Sequence, residues 1–110
     1  MLADASSSHD FAVALDPQQL RVVRDVIARV LPGAEVWIFG SRATGKARPF
    51  SDLDLLLTKP SQLNWSQRAA LRDEFEASDL PFCVDVVDSS GLASGLAERI
   101  WSERVALPTL

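Results

Sequence analysis

The chain has 110 residues, a formal net charge of −4 and 47% apolar residues, which suits one small globular domain with a single core. The acidic balance excludes a whole-surface basic footprint, so nucleic acid is not expected as a partner. Cys83 is the only cysteine, so one chain can build neither a disulfide framework nor a cysteine zinc cluster, and a reducing, cytoplasmic setting is expected. No apolar run approaches the roughly 20 residues of a membrane span, and no membrane association is expected.

Residues 1–15 read as a flexible leader, without a basic start or a cleavable apolar core, and His9 within it as a solvated side chain. Residues 16–110 form the single domain. Asp16-Pro17-Gln18-Gln19 is a helix start: Asp16 caps, Pro17 suits the first turn, and Gln19 completes a capping box. Leu20, Val23, Val26, Ile27, Val30 and Leu31 follow at helical spacing until Pro32-Gly33. Glu35–Phe39 is a short apolar strand, with Trp37 expected in the core. Ser51–Thr58 reads as a second strand, Ser66–Ala77 as a helix capped by Asn64 or Ser66, and Phe82–Val87 as a third strand. A last helix is expected over Leu92–Val105. The fold class is α/β (α+β), a small mixed sheet flanked by helices.

Residues 39–57 read FGSRATGKARPFSDLDLLL, and Gly40, Gly45 and Lys46 stand at P-loop spacing. A P-loop needs a hydroxyl after its lysine to hold magnesium, and here that residue is Ala47. It also opens a long helix, whereas Pro49 follows Lys46 by three residues and the next strand begins at once. No crossover helix fits there, so the flanking strands are expected to run antiparallel or to be joined by one short helical turn. Gly40-Ser41 instead offers backbone amides and a hydroxyl to phosphate oxygens at the start of such a turn. Arg42, Lys46 and Arg48 put a local +3 on residues 40–49, which contain no acid and could steer a triphosphate.

Asp52 and Asp54 lie two apart on a strand and so share one face. Two carboxylates there are costly to bury unpaired, and hard divalent cations that also take substrate phosphates would explain them. Asp85 interrupts the apolar run Phe82–Val87 and can join them if its strand is the neighbour. Asp88 is the rival third acid, but Asp88-Ser89-Ser90 reads as a helix cap.

Gly40-Ser41, a nine-residue spacer, Ser51-Asp52-Leu53-Asp54 and a distant strand aspartate resemble the polymerase-β-like nucleotidyltransferase superfamily. The short chain is similar to its minimal nucleotidyltransferases, which often act as antitoxins to HEPN-domain proteins. One departure is Thr44, where many relatives carry arginine. The resemblance implies that Gly40, Ser41, Arg42 and Ser51 bind the nucleotide, and that Asp52, Asp54 and Asp85 are both catalytic residues and metal ligands. It implies ATP as substrate and two Mg2+ ions, with Mn2+ as a substitute, about 3.5–4 Å apart. AMP would then pass to a hydroxyl, foremost a tyrosine of a HEPN toxin, in a homo- or hetero-oligomer. Two alternatives remain open: a non-catalytic antitoxin that neutralises its partner by covering it, and transfer to a small molecule. Trp65 and Trp101 are candidate exposed anchors. The last helix, with Leu92, Leu96, Ile100 and Trp101, can be core or partner surface.

Overall fold

A computed structural model describes residues 14–108. His9 and most of the expected leader lie outside the described residues. Ala14 and Leu15, the last two residues of that leader, belong to the fold: the Ala14 amide donates to the Arg42 carbonyl, and Leu15 packs on the core.

Helix α1 spans Pro17–Val30. Its capping box forms as expected, with the Gln19 amide 2.7 Å from Asp16 Oδ1 and the Asp16 amide 3.1 Å from Gln19 Oε1. Strand β1 is Glu35–Phe39, helix α2 the single turn Ser41–Thr44, and strand β2 Leu53–Lys59. Helix α3 covers Trp65–Glu76, capped by Asn64 with Gln67 closing the box. Strand β3 is Val84–Asp88, followed by a 3-10 turn at Ser89–Gly91, helix α4 at Ser94–Glu103 and strand β4 at Val105–Ala106.

The four strands form one mixed sheet in the order β3-β2-β1-β4. β1 runs antiparallel to β2, as the short loop between them requires, and antiparallel to β4. β2 and β3 are parallel, with α3 as the crossover. Strand alternation then sorts the side chains. Val36, Ile38, Leu53, Leu55, Leu57, Val84 and Val86 face α1 and α3, and with Val23, Val26, Ile27, Leu71 and Phe75 they make the core. Each fully buried leucine of β2 contributes about 1.5–3 kcal/mol. The opposite face carries Trp37, Phe39, Asp54, Leu56, Asp85 and Val87. Just after helix α4, the Arg104 guanidinium stacks between Trp37 of this second face and Trp101 of the helix.

Four expectations change. Trp37 is not core: it is half-buried on the second face, its indole N–H on Thr58 Oγ1 at 3.1 Å. β2 begins at Leu53 rather than Ser51, because the Ser51 carbonyl is taken by Arg42 and cannot enter the ladder. β3 begins at Val84, since the Phe82 ring turns inward beneath the same guanidinium. The last helix stops at Glu103, and Val105 pairs with Ile38 in a fourth strand, a long-range contact that local periodicity does not reveal.

Candidate active site

The acid face is built at the junction of three segments. Asp54 stands opposite Phe39 in the antiparallel ladder and opposite Asp85 in the parallel one. Gly40 follows Phe39, so the start of α2 lies against the Asp54 carboxylate. A Cβ on Gly40 would sit 2.3 Å from Asp54 Oδ2. With φ at 76°, this glycine is required both by backbone conformation and by space. Asp52 precedes β2, is exposed, and lines a hollow of about 450 Å3 with Phe50, Arg72, Phe75, Phe82 and Cys83.

Among the described residues, none of Asp52, Asp54 and Asp85 takes part in an ion pair. Burial, then the charges of Asp85 and Asp52, push the Asp54 carboxyl up to about 6. Three hard oxygen donors that repel one another are chemically suited to a divalent cation, which relieves the repulsion a proton would otherwise relieve. They are not a preformed cage: no three acid, histidine or cysteine side chains among the described residues stand close enough to enclose an ion. The donor set thus fits magnesium completed by substrate oxygens and water.

Asp88 lies apart. It pairs with Leu57 on the core face and is 2% exposed. Its carboxylate accepts from the Leu63 amide at 2.8 Å, from Ser90 Oγ at 2.9 Å, and from Arg68 Nη2 at 2.6 Å. Burial opposes ionisation here, but these partners outweigh it and hold the carboxyl below its usual range. Asp88 joins α3 to β3 and does not share the face of Asp54.

Two residues expected to bind the nucleotide, Arg42 and Ser51, have hydrogen-bond partners within the fold. Arg42 is 4% exposed and donates to main-chain carbonyls inside the fold, so the expected +3 patch reduces to the exposed Lys46 and Arg48. Ser51 Oγ accepts from the Arg48 amide at 2.8 Å and closes the loop. Gly40 and Ser41 remain beside the acids, α2 leaving its first amides without intrahelical acceptors. Thr44 Oγ1 bonds back to the Gly40 carbonyl at 3.1 Å. Phe50 was not singled out by sequence reasoning, yet it is 75% exposed on the hollow beside Asp52. An isolated aromatic within a polar loop is the signal that marks it.

Residues 20–107 match the model of the family described as Nucleotidyltransferase domain. The chain is 39% identical over 83 residues to "Probable protein adenylyltransferase MntA" of Haemophilus influenzae, covering 76% of this chain and 73% of that protein. A solved structure described as a minimal nucleotidyltransferase is 35% identical, with a TM-score of 0.63, over 84% of this chain and 90% of that one. The crystal structure of a toxin-antitoxin with AMP-PNP superimposes with a TM-score of 0.66 over 83% of this chain and 73% of that one; at 22% identity it speaks for the fold alone. Matched along nearly all of its described length, the chain belongs to the nucleotidyltransferase domain family and is a nucleotidyltransferase.

Proposed function

We propose that this protein transfers AMP from ATP to a hydroxyl of a partner protein, and that it acts in this way as an antitoxin. The observation that carries the reading is Asp54 and Asp85 side by side on one sheet face, with Asp54 against Gly40 and Asp52 in the segment that leads into β2. The likeness to a protein named as an adenylyltransferase supports AMP as the transferred group and a protein as the acceptor.

In this mechanism the Gly40-Ser41 turn holds the triphosphate by its amides and hydroxyl. Asp52, Asp54 and Asp85 would hold magnesium, with Asp85 as the ligand nearest the acceptor hydroxyl. Bound magnesium supplies charge neutralisation at the attacking and leaving oxygens. The acceptor hydroxyl gives up its proton to solvent as its oxygen bonds to the α-phosphorus in line, the α–β bridging bond breaks and pyrophosphate leaves. Position and charge supply most of the rate. The proposed acceptor is a tyrosine of a HEPN-domain toxin.

The test uses α-labelled ATP, Mg2+ and the partner encoded beside this chain. Label is expected on a partner tyrosine with the wild type and not with folded Asp52→Ala/Asp54→Ala. Undiminished labelling by that double variant sinks the assignment. A second reading is neutralisation by binding alone, favoured by Trp65 at 88%, Leu96 at 50% and Trp101 at 47% exposure. It predicts that the same variant still neutralises the toxin.

A further inference from the structure

We infer that Arg42 is a positioning residue for Asp52: its buried guanidinium fixes the loop that leads into Asp52, and it does not itself touch the nucleotide. The inference rests on the nucleotidyl-transfer reading above for what Asp52 does, but not for where Arg42 lies.

The guanidinium spends its donors on main-chain oxygens. Nε lies 3.0 Å and Nη2 2.8 Å from the Ser51 carbonyl, and Nη2 also reaches Pro49 O at 3.1 Å and Arg48 O at 3.4 Å. Nη1 donates to Ala14 O. The face of the group rests 4.0 Å from the centre of the Phe82 ring. Residues 48–51 lie outside the strands; the Arg48 carbonyl accepts from the Ser51 amide, and Arg42 supplies the donors for the Pro49 and Ser51 carbonyls. Ser51 is the residue directly before Asp52, and two bonds to its carbonyl set the peptide plane that joins them. On the other side, the Leu53 amide donates to Cys83 O at 2.9 Å, next to the Phe82 that Arg42 covers. Asp52 is thereby pinned between two fixed points.

Arg42 and Asp52 make no ion pair within the described residues. The carboxylate stays available to a ligand, while the buried cation beside it balances part of the acid charge. Burial lowers the Arg42 pKa and the Asp52 charge raises it, which agrees with two groups in electrostatic but not direct contact. Lysine cannot replace this arrangement. It carries the charge but offers a point rather than a planar fork, and it stacks poorly on a ring.

Mn2+ binding by the full chain, followed by electron paramagnetic resonance, tests this without catalysis. Folded Arg42→Lys is expected to bind Mn2+ at least about 10-fold more weakly than wild type, as for other residues that orient metal ligands. Val26→Ala is the control: it removes core packing on α1, which carries none of the three acids, lowers the melting temperature and should leave Mn2+ affinity at the wild-type value. In the labelling assay Arg42→Lys should lose about 10²-fold in kcat with KM for ATP little changed. If Arg42→Lys does not fold, Phe82→Leu removes only the ring beneath the guanidinium and should weaken Mn2+ several-fold. Wild-type Mn2+ affinity in the folded Arg42→Lys, or in Phe82→Leu where that variant replaces it, overturns the inference; so does an equal loss in Val26→Ala, or no Mn2+ binding by the wild type. A wild type that binds Mn2+ but labels nothing sinks the proposed function instead, and the comparison of affinities still decides the role of Arg42.

Discussion

Asp54 of β2 and Asp85 of β3 stand directly opposite one another in a parallel ladder, two carboxylates at neighbouring positions with no cation between them among the protein's described side chains. Such a pair opposes folding unless something neutralises it.

That opposition has a pH signature. Burial and the neighbouring charges raise Asp54 from 3.8 to about 6. Between about pH 4 and pH 6 the folded state therefore keeps a proton that the unfolded chain has released, so this group's contribution to stability falls as pH rises through that window and stays low above it. Denaturant unfolding should show the wild type losing stability relative to Asp54→Asn from about pH 4.5 to about pH 7. Mg2+ at neutral pH should narrow the difference. A constant difference across the window would disprove the coupling.

Gly40→Ala should disable the site through Asp54. The new Cβ would fall 2.3 Å from Asp54 Oδ2, and the backbone there has φ 76°. That backbone, with ψ at −156°, lies in a region essentially reserved for glycine and costs another residue about 1–3 kcal/mol. Urea unfolding should register at least that loss, and Mn2+ binding and AMP transfer should both fail in the folded fraction.

Asp85 and Asp88 should separate cleanly. Asp88→Ala leaves the Leu63 amide and Arg68 without their acceptor and should cost about 2 kcal/mol of stability, with Mn2+ affinity retained. Asp85→Asn should keep or raise the melting temperature and lose transfer. If Asp88→Asn, folded at low temperature, loses transfer as completely as Asp85→Asn, the division of roles is wrong.

Both capping boxes should be worth measuring alone. Asp16→Ala and Asn64→Ala each remove one side-chain acceptor at a helix start and should each cost about 1 kcal/mol, without altering Mn2+ binding. Their sites are on different helices with no shared partner, so the double variant should show the sum.

Local chemistry in the sequence was sufficient for much of this protein. The Asp16 box, the Pro32-Gly33 stop and the bounds of β1 follow from short-range rules of capping and chain conformation, and all appear as read. Ala47, Pro49 and the brief path to Asp52 were enough to exclude a P-loop, because a four-residue turn leaves no room for its helix. Strand alternation predicts a shared face for Asp52 and Asp54, but β2 begins at Leu53, so only Asp54 takes its place by alternation and Asp52 precedes the strand.

Tertiary structure decided what depends on register and on competition for partners. Only the β2–β3 pairing puts Asp85 beside Asp54 and turns Asp88 to the core, since a shift of one residue would exchange their faces. Only the fold shows Arg42 inside, because in the sequence it reads as a loop charge facing a triphosphate and nothing local reveals that loop carbonyls and the Phe82 ring enclose it. Trp37 and Val105 were misplaced for the same reason: which face of a strand is core, and whether a valine extends a helix or joins a sheet, is settled by segments distant in the chain.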